Sequence, residues 1–176
     1  MTRNILLAGF GGQGILFAGK VMAYAGLIEE KEISWLPSYG PEMRGGTANC
    51  SVCISDDPIG SPLVLKPDIL VAMNLPSYDK FINEAAPGAT VVVDSTLVEK
   101  RTERTDINVF YVPATKLANE NGLKGLANII CVGKLLKETG FASYDAVEAA
   151  IRKCVPAKKA AMVDFNLNAL KLGMDN

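Results

Sequence analysis

Asn4-Ile5-Leu6-Leu7-Ala8-Gly9-Phe10-Gly11-Gly12-Gln13-Gly14 decides the fold: an apolar run meets a cluster of glycines and then a helical pattern. Residues 4–8 are predicted as a strand and residues 13–25 as a helix stopped by Gly26. Ile15, Ala18, Met22 and Ala25 recur at three- and four-residue spacing, which gives the helix one apolar stripe to bury. A strand that turns sharply into a helix is the first half of a βαβ unit. Gly9-Phe10-Gly11-Gly12-Gln13-Gly14 also satisfies G-x-G-x-x-G, and it does so in the strand-to-helix setting that gives the pattern meaning. Glycines let the backbone turn tightly and approach a diphosphate, whose charge is met by free N–H groups at the helix N-terminus. The competing reading is that they only let strand and helix pack closely; phosphate binding is the preferred one.

Working outward, residues 32–36 and 47–55 read as further strands, separated by a loop rich in Gly and Pro. Residues 68–73 and 90–93 are dense apolar runs of the kind found in strands buried on both faces, with a helical segment at 77–85 between them. After a polar stretch at 99–105, residues 109–112 form the last strand. The remainder is helical: 123–138, 144–153 with Ser143 as N-cap, and 157–172, where Val163, Leu167 and Leu170 form a stripe. The expectation is one domain over residues 1–176. Its class is α/β, a doubly wound, Rossmann-like, largely parallel sheet flanked by helices, with a helical C-terminal part.

Composition narrows the chemistry. Hydrophobic residues make up 49% of the 176 and charged residues 21%, enough for a packed core and against disorder. A net charge of −1 offers no basic excess for counterion release, so nucleic acid is not an expected partner. The chain has no histidine, so Ser-His and Cys-His nucleophiles and His-ligated metals cannot arise within it. Acid–base work would fall to shifted carboxylates, lysines or a bound cofactor. Cys50 and Cys53 have C-x-x-C spacing but sit in a predicted strand, where residues three apart face opposite ways. With Cys131 and Cys154 they read as inert thiols rather than as a metal, iron–sulfur or redox site, and reduced thiols fit the cytoplasm. The opening apolar run is short for a signal peptide, and Gln13 and Lys20 interrupt the longest apolar region. A cytoplasmic protein without a membrane span is expected.

The ligand of the glycine turn is constrained too. NAD wants an acidic residue at the end of the second strand for its ribose hydroxyls, but Leu36, Pro37, Ser38 and Tyr39 stand there. Glu29, Glu30 and Glu32 lie at the other end. A different diphosphate ligand such as coenzyme A fits better. Gly14-Ile15-Leu16-Phe17-Ala18-Gly19-Lys20 has Walker spacing, yet Val21 follows where Ser or Thr should hold magnesium, and the segment lies inside the helix. An ATPase is rejected; Lys20 is either a point charge for a phosphate or a solvated lysine. Ser38-Tyr39-Gly40-Pro41-Glu42-Met43-Arg44-Gly45-Gly46-Thr47-Ala48-Asn49 follows the second strand at its carboxyl end, where open α/β sheets place ligands. Arg44 there either forks onto a carboxylate or phosphate, or pairs with its neighbours on an exposed loop.

The glycine turn, this second loop, Pro67-Asp68, Asn74-Leu75-Pro76-Ser77-Tyr78, Pro113-Ala114-Thr115-Lys116, Leu126-Ala127-Asn128 and the closing Asn168-Ala169-Leu170-Lys171-Leu172-Gly173 together resemble the gamma subunits of 2-oxoacid:ferredoxin oxidoreductases. The Ser-Tyr-Gly-Pro-Glu-Met-Arg-Gly-Gly form looks most like the 2-oxoglutarate branch, with indolepyruvate-type subunits close by. The resemblance implies a chain that contributes coenzyme A binding and assembly. Alpha and beta subunits, and a ferredoxin-like delta subunit as a further candidate, would carry thiamine diphosphate and iron–sulfur clusters and reduce ferredoxin. By that analogy the coenzyme A phosphates lie at Gly9, Gly11, Gly12, Gln13 and Gly14, with Lys20 in reach. Ser38, Tyr39, Glu42 and Arg44 face the partners and the active centre, and Asn74 and Asn128 are secondary polar contacts. No catalytic residue is assigned to this chain, because the cofactor carries the hard chemistry. A stand-alone nucleotide-binding oxidoreductase is the competing class.

Overall fold

The computed structural model describes residues 1–38 and 47–176. The apolar run becomes β1 (Thr2–Phe10), whose side chains alternate between two cores: Ile5 and Leu7 join one, Leu6 the other. It feeds α1 (Ile15–Ile28), and the predicted stripe of Ile15, Ala18, Met22 and Ala25 is buried throughout. The helix does not stop at Gly26. That residue lies against Ile33 and Ile54, where a Cβ would press on the strand side chains, and the turn comes later, at Glu30 with φ 59°.

The further strands are β2 (Glu32–Ser38), β3 (Thr47–Ser55), β4 (Ile69–Ala72), β5 (Thr90–Asp94) and β6 (Asn108–Val112). They form one six-stranded sheet in the order β2-β3-β1-β4-β5-β6. β1, β4, β5 and β6 are mutually parallel, whereas β3 runs antiparallel to both β1 and β2. The expected βαβ unit is therefore split by a strand that hairpins back from β2 into the gap. The chain winds outward from β1 in one direction through α1 and in the other through β4. The carboxyl ends of β1 and β4 thus flank the switch point, where such sheets open a crevice for ligands.

The two faces are covered unequally. α1, α3 (Ala114–Glu120), α4 (Ala127–Thr139), α5 (Tyr144–Cys154) and α6 (Met162–Asp175) bury Ile5, Leu7, Val52, Val71 and Val92 on one side. On the other, α2 (Leu75–Phe81) and the segments around Val64, Val98 and Ile107 close over Leu6, Leu70, Val91 and Val93. Ser143 caps α5 as expected, accepting from the Ala146 N–H at 3.2 Å. α4 begins later than the predicted 123, because residues 121–126 are spent on turns, and α6 begins at 162 after a 3₁₀ turn at Ala157–Lys159. No helix among the described residues is long and apolar enough to cross a membrane.

Candidate functional site

β1 ends at Phe10, and the chain turns through Gly11, Gly12 and Gln13 to Gly14, the N-cap of α1. Gly12 and Gly14 hold φ of +94° and +72°, which L side chains rarely adopt, so the turn is built on glycine. A Cβ at Gly12 would meet nothing within 4 Å, which leaves that backbone open to the crevice. At Gly14 it would run into the Asn128 side chain.

Gln13 is a strap. Its Oε1 accepts from the Phe10 N–H at 2.6 Å and its Nε2 donates to the Met73 carbonyl at 3.0 Å, so one side chain ties the end of β1 to the end of β4. The Gln13 N–H is also used, donating to the Phe10 carbonyl at 3.2 Å. Among the described residues, the N–H groups in the first turn of α1 have no partner. The first bond into the helix runs from Ala18 N–H to Gly14 C=O at 3.0 Å, and no side chain caps the terminus or places an acid in its first turn among the described residues. Unsatisfied donors and the helix dipole together favour an anion there.

Beside this turn lies a cleft of about 340 Å³ lined by Gly12, Gln13, Met73, Leu97, Thr115, Asn119, Lys124 and Gly125. Lys124 adds a cation and Asn119 an amide; neither was singled out from the sequence. Asp94, buried at the end of β5, fixes the far wall. Its carboxylate accepts from Thr96 N–H at 3.1 Å, Thr115 N–H at 3.2 Å and Thr115 Oγ1 at 2.5 Å, and so anchors the start of α3. Through these bonds the carboxylate serves as a support for the site.

The remaining expected site residues divide. Asn128, on α4, donates from Nδ2 to the Gly14 carbonyl at 2.9 Å and so braces the turn from behind. Asn74 is the N-cap of α2, its Oδ1 accepting from Ser77 N–H at 2.9 Å. Lys20 lies over the Tyr24 ring at 5.8 Å, with Lys153 on the same ring at 5.2 Å, on the side of α1 that packs on α5. Its charge is felt at Cys154. Ser38 is exposed at the end of β2, paired with Asn49, while Thr47 pairs with Phe10. The second loop is thus rooted at the same sheet edge as the glycine turn; Tyr39, Glu42 and Arg44 lie outside the described residues.

Cys50 and Cys53 point to opposite cores, and burial pushes the Cys50 thiol up to about 12 and the Cys131 thiol further still. Both stay protonated and unreactive at neutral pH. The NAD arrangement fails on topology as well. On the side where α1 leads the chain, the strand beside β1 is β3, which enters that edge with Thr47 and Ala48, so among the described residues no acidic strand end stands where the ribose would lie. In a depression of about 500 Å³ beside α2 the cations are already engaged: Lys100 pairs with Asp79, Arg104 with Asp106 and the Ile82 and Ala85 carbonyls, and Arg101 donates to the Val98, Glu99 and Lys100 carbonyls.

The chain matches the pyruvate ferredoxin/flavodoxin oxidoreductase family over residues 4–176. It is 41% identical over 159 residues to the 2-oxoglutarate synthase subunit KorC of Methanocaldococcus jannaschii, covering 89% of this chain and 85% of that one. It is 37% identical over 175 residues to the ketoisovalerate oxidoreductase subunit VorA of Methanothermobacter thermautotrophicus, covering 98% of this chain but only 36% of that longer one. The gamma subunit of a keto/oxoacid ferredoxin oxidoreductase from Geobacter sulfurreducens superposes with a TM-score of 0.84 at 31% identity, over 98% of this chain and 96% of that one. A 2-oxoglutarate:ferredoxin oxidoreductase from Magnetococcus marinus, with 2-oxoglutarate, coenzyme A and succinyl-CoA bound, shares the fold. Its TM-score is 0.88 at 22% identity, over 99% of this chain and 30% of that one.

Proposed function

The chain belongs to the pyruvate ferredoxin/flavodoxin oxidoreductase family as a gamma-type subunit, and from that premise we propose that it supplies the coenzyme A phosphate cradle and a docking surface to a 2-oxoglutarate-oxidising assembly. Thiamine diphosphate and iron–sulfur clusters on alpha, beta and ferredoxin-like subunits supply decarboxylation and electron transfer to ferredoxin, and coenzyme A accepts the acyl group. The carrying observation is the uncapped N-terminus of α1 behind a glycine turn that opens on a cleft with Lys124 in its wall. Gly11, Gly12 and Gly14 offer backbone to the diphosphate, Gln13 and Asn128 hold that backbone in place, and Lys124 rather than Lys20 is the nearby cation. Phe10, Leu75 and Leu97, exposed apolar side chains, offer contacts to partners together with the second loop.

This chain orients and binds; its histidine-free composition and internally engaged Asp94 suit that division of labour. The 2-oxoglutarate reading leans on the relatives named for that synthase. The similarity to a ketoisovalerate oxidoreductase subunit supports a branched-chain oxoacid as the second reading, decided by partner chains. The test is co-expression with alpha and beta partners. Oxoacid- and coenzyme A-dependent reduction of a low-potential acceptor is expected only in the assembly, and Gly12→Val should raise KM for coenzyme A while leaving KM for the oxoacid unchanged. Turnover by the isolated chain, or a coenzyme A KM indifferent to Gly12→Val in a properly assembled complex, would overturn the proposal.

A further inference from the structure

β2 is one end of the sheet, with β3 on one side and, among the described residues, no strand on the other. An open edge offers unpaired N–H and C=O groups to any other strand, and proteins blunt such edges with charge, with proline or by covering them. The two edges of this sheet are treated differently. At the β6 edge the aromatic side chains carry cations: Lys134 lies over the Phe110 ring at 4.6 Å and Arg101 over the Tyr111 ring at 3.9 Å. Along β2 the only charged residue is Glu32, at its start, and the middle of the strand leaves Trp35 37% and Leu36 39% exposed. Pro37 is the one blunting feature; it withholds a single N–H and lies away from the strand's centre.

Trp35 and Leu36 are consecutive, so they face opposite sides of the sheet. The Trp35 indole lies on the α1 side, close enough to Gly19 that a Cβ there would meet its Nε1 at 3.3 Å. Leu36 is on the other face, opposite Ser51 of β3, whose Oγ accepts from the Val64 N–H at 3.2 Å. Leu63 and Leu65, on either side of Val64, are 54% and 70% exposed. Apolar side chains scattered singly over a surface need no explanation. Here they gather on both faces of one unguarded edge.

We propose that two copies of this chain meet at this edge, β2 against β2, antiparallel about a two-fold axis that passes through Trp35 perpendicular to the sheet. The strand suits its own copy. Pairing about Trp35 sets Glu32 against Ser38, Ile33 against Pro37, Ser34 against Leu36 and Trp35 against Trp35. The one charge on the strand therefore meets a neutral hydroxyl, whereas an in-register parallel pairing would set Glu32 against Glu32. This axis also keeps each face of the sheet on its own side. Indole meets indole beside the two α1 helices, and the patch of Leu36, Leu63 and Leu65 meets the same patch of the other copy. Every contact is made twice, as an isologous dimer requires. The two six-stranded sheets then run on as one.

Sedimentation equilibrium of the full chain tests this, in the unmodified form and as Trp35→Lys, Leu36→Lys, Ser38→Glu and Ser38→Lys, each checked for native circular dichroism. The unmodified chain should form a dimer whose population rises with concentration. Trp35→Lys should weaken it at least about 30-fold, the loss expected of a central aromatic anchor, and Leu36→Lys should weaken it as well. The Ser38 variants test the register. Ser38→Glu sets like charges at both ends of the pairing and should weaken the dimer about 3-fold or more, whereas Ser38→Lys sets opposite charges there and should strengthen it by a similar factor. If the lysine variants at the strand centre fail to fold, the Ser38 pair decides alone. A monomer at every concentration overturns the proposal, as does a dimer indifferent to folded Trp35→Lys and Leu36→Lys. Ser38 variants that shift the dimer in the same direction, or not at all, overturn it too. Co-expression with alpha and beta partners covers the other occupant: if the chain alone stays monomeric and folded Trp35→Lys loses those partners, the edge belongs to a partner chain and the self-pairing falls.

Discussion

Replacing Gln13 by alanine removes both bonds of the strap that joins the ends of β1 and β4. The two losses are unequal. Phe10 is 41% exposed, so water can take over its N–H at small cost. Met73 is 2% exposed, so its carbonyl is left buried without a donor, a penalty of about 1–3 kcal/mol. The expected destabilisation of Gln13→Ala is therefore about 2 kcal/mol, or a fall in Tm of about 4–8 °C for a chain of this size. Urea unfolding followed by circular dichroism reads it directly. Gln13→Glu should fare no better, because the new carboxylate can still accept from Phe10 but faces the Met73 carbonyl with a second acceptor. Gly9→Ala gives an independent check, since its Cβ would come within 2.5 Å of Gln13 Oε1 and push the strap aside. A Gln13→Ala protein within about 0.5 kcal/mol of the original would refute the strap, and with it the claim that the turn is held from both strands.

Other expectations follow from the same contacts. Gly133→Ala should cost about 1–3 kcal/mol or more, because its Cβ would enter the Leu170 carbonyl where α4 and α6 cross; unchanged urea stability would contradict that close approach. Asn74→Ala and Ser143→Ala each remove a helix N-cap and should each cost about 1 kcal/mol, so loss in one and not the other would single out the cap that does not act. The buried Cys50 thiol has a folded pKa raised to about 12, so its contribution to stability is full below the ordinary thiol pKa and declines as pH rises from there towards 12. Tyr78, also raised to about 12 with burial as the leading cause, extends the same alkaline loss. Unfolding midpoints should drop across that window, and Cys50→Ala should lessen the drop without abolishing it; a flat profile in the unmodified chain would contradict it.

What the residues disclosed in advance was the local part of the site. The strand, glycine turn and helix are contiguous, and a left-handed glycine beside an apolar stripe says the same thing in any tertiary setting. The direction of β3 was not legible. Its side chains are buried on both faces, and Ala48, Cys50, Val52 and Ile54 would read alike in a parallel or an antiparallel strand. The long-range braces, Asn128 on Gly14 and Gln13 on Met73, depend on which loops meet and leave no periodic trace. Asn74, expected through the resemblance as a polar contact, is an N-cap instead, and a cap and a ligand contact look the same in sequence until the bond to Ser77 is seen. Lys124 carries no sequence signal because it sits among ordinary turn residues, and only the fold brings it beside Gly12 and Gln13.

Amide hydrogen exchange on the assembled complex, with and without coenzyme A, tests the central claim most directly. Coenzyme A should slow exchange in the peptide spanning Gly9 to Phe17, where the free N–H groups of α1 meet the diphosphate, and also around Lys124. Protection that falls wholly on the partner chains, with the Gly9–Phe17 amides unmoved, would contradict it.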